Sequence, residues 1–184
     1  EAEIKRFAPT LNPVILGGPN RAERVSGLKG FDVLIVSYAL LQIEEELLGT
    51  VIWNTIVLDE AQAIKNRMTK RSRAAMALQG HFRLMTTGTP IENHLGELWN
   101  LFRFLNPGLL GSLERFNERF AIPIERYRDR EASQRLKVLI RPFILRRTKN
   151  QVLQELPPLT EIVLHVEMGP EESAFYESLR QRAM

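Results

Sequence analysis

Short aliphatic runs alternate with longer amphipathic stretches over the first two thirds of the chain. Four of these runs are typical of β-strands: PVILGG (13–18), DVLIVSY (32–38), NTIVLDE (54–60) and HFRLMTT (81–87). Their apolar character is continuous, as in parallel strands covered on both faces, so the pattern predicts an α/β fold. Ligands bind such sheets beyond the carboxyl ends of the strands. Asp59, Glu60 and the TTGTP stretch (86–90) fall there.

The clearest predicted helix lies in TPIENHLGELWNLFRFLNPG (89–108). Its apolar positions recur at helical spacing on one stripe, formed by Leu95, Leu98, Leu101, Phe102 and Leu105. The helix is expected to stop at Asn106, before a proline and a glycine. Two starts fit the sequence: Thr89 as the cap with Pro90 in the first turn, or Asn93 as the cap after a longer loop.

The last third of the chain predicts a charged helical region followed by a strand and a helix. From Leu113 to Lys137 the pattern is helical and rich in charge. EIVLHVE (161–167) alternates as a strand does, and Gly169 and Pro170 precede a final helix.

Composition limits the possible chemistry. The chain has no cysteine and three histidines, which excludes disulfides and thiolate zinc sites and disfavours a histidine metal site. No apolar run is long enough to cross a bilayer, and the first residues are charged, so we expect an intracellular protein without a membrane partner. Residues 114–149 carry 11 basic and 5 acidic side chains. This basic block suits a polyanion, or a solvated helix face laced with ion pairs.

Asp59 and Glu60 are the candidate reactive groups. An aspartate at the end of a buried strand can hold Mg²⁺ beside a nucleotide, while the next glutamate polarises the attacking water. Alternatively, Asp59 caps a helix that begins at Ala61, and Glu60 lies in its first turn. The two residues alone leave both interpretations open.

Further motifs follow in an informative order: WNTIVLDEAQAIKN (53–66), RLMTTGTP (83–90), PIENHLGELWNLF (90–102) and RPFILRRTK (141–149). Together they resemble the ATPase motor of the SWI/SNF-type family, double-stranded DNA translocases of helicase superfamily two, and particularly its bacterial members. The resemblance implies a RecA-like lobe that uses ATP and Mg²⁺. Asp59 and Glu60 would be the Mg²⁺-coordinating and water-activating acids. Thr87, Gly88 and Thr89 would couple nucleotide state to DNA grip, with Gln62 where histidine is usual in the family.

The same resemblance implies double-stranded DNA as a partner. Ser37 and Asn93 fall at positions that face the DNA backbone in that family, and loop capping is the alternative for both. Arg146 and Arg147 stand where the first lobe joins later elements, and pairing with acids across that junction is the alternative to a phosphate contact. The run KNRMTKRSR (65–73) holds five basic residues and no acid, which suits either DNA or a solvated helix.

The chain has no G-x-x-x-x-G-K-[ST] loop to cradle the ATP phosphates. In the family that loop lies upstream, and a second RecA-like lobe of the same polypeptide lies downstream. We therefore expect residues 1–112 to be part of a first RecA-like lobe, 113–150 a basic helical insertion and linker, and 151–184 a strand and helix leading toward the second lobe. A piece of this kind is expected to be inactive alone.

The resemblance leaves other functions open. An RNA helicase or a restriction-type motor has a similar lobe, although the charged region after residue 112 and the RPFILRRTK stretch argue against both. A non-catalytic scaffold that binds DNA or a protein partner is the alternative from another class. For a motor on DNA we expect a cytoplasmic location, associated with the nucleoid in a bacterium.

Overall fold

The computed structural model describes residues 1–88, 94–147, 151, 163–164 and 168–183. The strands are β1 (Asn12–Ile15), β2 (Asp32–Ile35), β3 (Ile52–Leu58) and β4 (Gln79–Met85). The α-helices are α1 (Ala2–Phe7), α2 (Arg21–Ser26), α3 (Tyr38–Ile43), α4 (Glu45–Gly49), α5 (Lys70–Ala77), α6 (Leu95–Leu105), α7 (Leu113–Phe116), α8 (Ile122–Tyr127), α9 (Arg130–Ile140) and α10 (Pro170–Ala183). Short 3₁₀ helices span Ala61–Ile64 and Arg141–Phe143, and a π-helical turn spans Asn117–Ala121.

All four strands predicted in the first two thirds of the chain are present, and all pair in parallel, which confirms the α/β class. β1 pairs with β2, from Asn12 opposite Asp32 to Ile15 opposite Ile35. β3 pairs with β4 in the same sense. The described strands thus form two parallel pairs, each built across a helical connection, as parallel neighbours require.

The two faces of the β3–β4 pair differ. Ile56 and Leu58 are buried in the hydrophobic core, whereas Val57, Phe82 and Leu84 remain 55%, 58% and 45% exposed. The prediction that these strands are covered on both faces is therefore wrong for the part of the chain that is described. A continuous apolar run indicates that both faces of a strand are suited to burial, but the described residues cover only one face of the β3–β4 pair.

Side-chain caps begin several helices. The acceptor side chain at each cap receives a backbone N–H from the first turn, which satisfies a donor that has no partner within the helix. The capping residues are Ser37 for α3, Thr69 for α5, Ser112 for α7 and Asp129 for α9. Local sequence thus fixes where these helices start.

Helix α6 confirms the predicted apolar helix and its end at Asn106, but it begins later than either predicted start. His94 occupies its N-cap position and makes no side-chain capping bond. The N–H of Leu95 instead donates to Oε1 of Glu125, 2.5 Å away. A tertiary partner therefore satisfies a donor that the local sequence leaves open. The predicted caps Thr89 and Asn93 lie outside the described residues.

Helix α6 joins two hydrophobic clusters among the described residues. Leu101 and Phe104 belong to the cluster around β3, α3 and α5, whereas Leu98 and Phe102 belong to a helical cluster. Arg83 of β4 fastens the end of the helix, since its guanidinium donates to the carbonyl of Phe104 at 2.9 Å. Burial lowers the pKa of Arg83 from its ordinary value.

The charged stretch from Leu113 to Lys137 is helical, as predicted, but not continuous. Phe116 and Phe120 pack with Leu136 in the helical cluster, with the two rings 5.7 Å apart. Arg128 adopts a left-handed conformation that ends α8, and α9 begins two residues later. The basic side chains of this stretch are exposed, whereas Phe116, Phe120 and Leu136 are buried.

The chain divides into two compact units, Glu1–Pro142 and Phe143–Met184. The functional boundaries expected at 112 and 150 stay predictions. The predicted final helix is present as α10. The predicted strand at 161–167 falls mostly outside the described residues. None of the helices in the described ranges is long and apolar enough to cross a membrane.

Candidate functional site

The carboxyl ends of β3 and β4 meet side by side. Leu58 and Met85 are the last residue pair of the two strands. Just beyond them, the N–H of Thr86 donates to the carbonyl of Leu58, and the N–H of Ala61 donates to the carbonyl of Thr86, both at 2.9 Å. The backbone therefore holds Asp59 against the start of the TTGTP stretch, which confirms that the two motifs share one edge of the fold.

Asp59 turns its carboxylate toward β4. Its Oδ1 accepts the hydroxyl of Thr86 at 2.5 Å and the N–H of Glu60 at 3.0 Å. The following 3₁₀ helix, Ala61–Ile64, has Glu60 at its N-cap position and no side-chain capping bond. Capping by Asp59, the simpler of the two interpretations, therefore does not describe its contacts.

Glu60 has a backbone conformation that is uncommon for a residue with a side chain. Its φ and ψ of 48° and 52° are left-handed. Its Oε2 accepts a hydrogen bond from Nε2 of Gln62 at 2.8 Å, and Oε1 of Gln62 accepts the hydroxyl of Thr87 at 2.9 Å. These bonds connect the two motifs side chain by side chain. We call Asp59, Glu60, Gln62, Thr86 and Thr87 the acid-end cluster.

A tyrosine in the chain segment that follows β2 completes this edge. The hydroxyl of Tyr38, the first residue of α3, donates to the backbone carbonyl of Asp59 at 2.9 Å. Burial of the ring, followed by the negative charges of Asp59 and Glu60, raises the pKa of Tyr38 to about 12. The phenol therefore stays a hydrogen-bond donor over the physiological range.

A second polar group lies at the other end of the 3₁₀ helix. The side chain of Asn100 in α6 donates from Nδ2 to the carbonyl of Ile64 at 2.6 Å and to the hydroxyl of Ser72 at 2.8 Å. Asn100 and Ser72 are both buried. We call Asn100, Ser72 and the Ile64 carbonyl the buried amide cluster. Nearby, Lys65 and the buried Glu97 form an ion pair at 3.7 Å.

The chain that forms this site matches a known protein family. A family model for the SNF2-related domain matches residues 1–184. The chain belongs to this family. The resemblance to SWI/SNF-type ATPases that the motifs predicted is thereby confirmed.

Relatives of the SNF2-related domain agree with this assignment. YwqA of Bacillus subtilis, named for an ATP-dependent helicase/translocase, is 42% identical over 184 residues, which cover 97% of this chain and 20% of YwqA. The chromatin-remodelling ATPase INO80 of Arabidopsis thaliana is 35% identical over 98% of this chain and 13% of its own length. The chain thus spans about a fifth or less of these relatives.

A solved structure supports the same fold. The SWI2/SNF2 ATPase core of Sulfolobus solfataricus, in complex with double-stranded DNA, matches 96% of this chain with a TM-score of 0.72 and 40% identity. The match covers 37% of the Sulfolobus chain. The parallel sheets and helices described above therefore correspond to part of a SWI2/SNF2 core.

The SNF2 family implies ATP and, typically, Mg²⁺, for which this site offers two carboxylates. Asp59 and Glu60 are both exposed at the strand ends and supply oxygen ligands. No group of three or more histidine, cysteine, aspartate or glutamate side chains converges among the described residues. Mg²⁺ commonly takes one or two carboxylates and completes its shell with phosphates and water. The pair therefore fits a Mg²⁺ shared with a nucleotide.

The structure describes four of the other predicted site residues of this SNF2-related domain. Gly88 is exposed next to the acid-end cluster, and Thr89 and Asn93 lie outside the described residues. Ser37 is exposed, and its hydroxyl caps α3. Arg146 and Arg147 are exposed in the second compact unit.

Sequence reasoning missed Thr86, Tyr38, Asn100 and Ser72. Thr86 stands beside the predicted Thr87, and Tyr38 directly follows the predicted Ser37. Asn100 gave a usable signal, because it is a polar residue directly between the apolar residues Trp99 and Leu101 of the predicted helix.

Proposed function

We propose that this chain is part of an ATP-driven motor that moves along double-stranded DNA, with the acid-end cluster facing Mg²⁺-ATP. The observation that carries the proposal is the hydrogen-bonded chain from Glu60 through Gln62 to Thr87 in a SNF2-related domain. The helicase/translocase name of YwqA and the duplex bound by the Sulfolobus core support the same activity.

Asp59 and Glu60 divide the chemistry between them in this proposal. Asp59, fixed by the hydroxyl of Thr86, would hold Mg²⁺ directly or through water. Bound Mg²⁺ neutralises charge on the phosphate oxygens. Glu60 would accept a hydrogen bond from the attacking water and orient it toward the terminal phosphorus. Gln62 holds the Glu60 carboxylate in place, which limits the orientations that the carboxylate samples.

Gln62 and Thr87 would also carry the coupling to DNA. A change in phosphate occupancy at Glu60 would reach Thr87 through the two hydrogen bonds of the Gln62 side chain. From Thr87 it would pass along the backbone to Gly88 and Thr89. Glutamine keeps a donor and an acceptor on one side chain, so it can serve here without a charge.

DNA contacts would come from residues outside the acid-end cluster. We propose Ser37, Asn93, Arg146 and Arg147 as contacts to the duplex backbone. Contacts to phosphates position a duplex without reading its sequence, which suits a protein that tracks along DNA. In a bacterium, such a motor acts at the nucleoid.

The longer relatives support a second RecA-like lobe in the same polypeptide as the partner of this one. The acid-end cluster would then form one wall of a site that closes between two lobes. Since the 184 residues contain no G-x-x-x-x-G-K-[ST] loop, we expect negligible ATP hydrolysis by this chain alone.

Duplex-stimulated ATP hydrolysis by the full-length protein that contains this chain tests the proposal. Glu60→Gln keeps the size and hydrogen bonding of the side chain but removes the base, so turnover is expected to fall about 100-fold or more with ATP binding retained. Glu46→Gln, at an exposed acid in α4, is the matched control and should keep full turnover.

One result would overturn the proposal as a whole, and another would overturn only the role of Glu60. If the native protein does not hydrolyse ATP with duplex present, Asp59 and Glu60 are structural, and a scaffold that binds DNA or a protein is the better account. If the native protein does hydrolyse ATP and Glu60→Gln has the same turnover, the protein is an ATPase but Glu60 does not activate the water.

A further inference from the structure

The peptide unit between Asp59 and Glu60 is held at both ends. Its carbonyl accepts the hydroxyl of Tyr38 at 2.9 Å, and its N–H donates to Oδ1 of Asp59 at 3.0 Å. Because a peptide unit is planar, these two bonds together fix its rotation. The Asp59 carboxylate is itself held by Thr86 of the neighbouring strand.

The rotation of this peptide sets the direction of Glu60. A turn of the Asp59–Glu60 peptide changes φ of Glu60, which stands at a left-handed 48°. That conformation is unfavourable for a residue with a Cβ atom and persists only where neighbouring groups impose it. Tyr38 supplies one of the two bonds that impose it, so the position of the Glu60 carboxylate depends on the Tyr38 hydroxyl.

The backbone of Tyr38 lies at the turn that follows β2. Tyr38 is the first residue of α3, and Ser37 directly before it caps the helix by accepting the N–H of Leu40 at 3.2 Å. Ser37 is exposed, whereas the Tyr38 side chain packs partly buried against the hydrophobic core. A contact that moves the Ser37 turn therefore moves the phenol, because the ring has little room to adjust separately.

We propose that Tyr38 is a positioning residue that transmits duplex contact at the Ser37 turn to the orientation of Glu60. This inference rests on the proposed function, since it takes Ser37 as a DNA-backbone contact and Glu60 as the residue that orients water. The path is short: one residue separates the exposed hydroxyl of Ser37 from a hydrogen bond to the Asp59–Glu60 peptide. It also links the β1–β2 pair to the β3–β4 pair at their carboxyl ends.

Tyr38→Phe in the full-length protein removes the hydroxyl and keeps the ring. The ratio of duplex-stimulated to duplex-free ATP hydrolysis is expected to fall about tenfold, as for one lost hydrogen bond of ordinary strength. The affinity for duplex, measured by fluorescence anisotropy, should change by no more than about twofold, since the phenol does not itself contact DNA. Tyr127→Phe removes a hydroxyl from a 75% exposed ring and should leave the ratio unchanged.

Several results would overturn the inference while leaving the motor in place. An unchanged ratio in Tyr38→Phe would be one such result. Another would be an equal loss of the duplex-free and duplex-stimulated rates together with a lower melting temperature, because that combination indicates a purely structural role for Tyr38. A fall in stimulation that duplex affinity fully accounts for would make Tyr38 a DNA-binding residue instead. If the native protein shows no turnover, the proposed function fails first and the inference fails with it.

Hydrogen exchange in the native full-length protein gives a second test that needs no folded variant. Duplex binding is expected to slow amide exchange over residues 58–62 as well as over 37–43. Protection confined to 37–43 would contradict transmission through Tyr38.

Discussion

The acid-end cluster and the buried amide cluster hold opposite ends of the same short segment under very different conditions. Asp59 and Glu60 are exposed to water, whereas Asn100 is completely buried. An exposed polar group exchanges its partners for water at little cost in free energy, but a buried one does not. The difference teaches that the Asp59–Glu60 end of the segment can exchange partners with water, whereas the Ile64 end is held by a buried hydrogen bond.

The buried amide cluster is also incompletely satisfied. Among the residues that the structure describes, Oδ1 of Asn100 is buried without a hydrogen-bond partner. Such an atom lowers the stability of the fold relative to an apolar side chain of the same shape. Asn100 nevertheless fixes the orientation of the 3₁₀ helix that carries Gln62, because its Nδ2 donates to the carbonyl of Ile64, the last residue of that helix.

The largest expected effect comes from Asn100→Ala. The change leaves the Ile64 carbonyl and the Ser72 hydroxyl buried without this donor and opens a cavity, so the free energy of unfolding should fall by about 2–4 kcal/mol. Urea unfolding of the chain measures it. Asn54→Ala, at an exposed position of β3, is the matched control and should stay within about 0.5 kcal/mol. A loss below about 1 kcal/mol for Asn100→Ala would remove the distinction between the two clusters.

A smaller change in stability is expected from Thr86→Val. Valine keeps the shape of threonine but removes the donor to Oδ1 of Asp59. Because this bond is open to water, the free energy of unfolding should fall by only about 1 kcal/mol. Turnover by the full-length protein should nevertheless fall about tenfold, because Asp59 is no longer held.

Thr55→Val is the matched control for Thr86→Val. Thr55 is exposed on β3, within the strand and away from its carboxyl end, and its replacement should leave turnover unchanged. If Thr86→Val destabilised the chain as much as Asn100→Ala, the acid-end cluster would be structural and the comparison would be wrong.

Much of this arrangement could be predicted from sequence because it depends on local pattern. The aliphatic runs place the four strands, the apolar stripe places α6, and the strand ends place Asp59 and Glu60 beside the TTGTP stretch. Their agreement with the structure shows that periodicity and strand ends carry enough information to bring these two motifs to one edge of the fold.

The partners within the site could not be predicted, because they are distant along the chain. Thr86 contacts a residue 27 positions away, Tyr38 one 21 positions away and Asn100 one 36 positions away. Ser72 lies in the basic run 65–73, where the surrounding charges indicate a solvated helix rather than a buried hydroxyl. Local pattern does not distinguish a threonine or serine that bonds across the fold from one that faces water.

The smallest expected effect at neutral pH concerns the proton on Tyr38, which changes stability only in alkali. Tyr38 is intermediate between the two clusters, because its ring is partly buried and its hydroxyl donates to the carbonyl of Asp59. Its pKa is raised from 10.0 to about 12, so the folded chain holds this proton more tightly than the unfolded chain does. The resulting stabilisation is complete below pH 10 and is lost as the pH rises through about 12. Urea midpoints should therefore decline more steeply over that range in the native chain than in Tyr38→Phe. The difference between the tyrosinate absorbance titrations of the two proteins isolates Tyr38, and a midpoint near pH 10 would show a phenol that is neither buried nor close to Asp59 and Glu60.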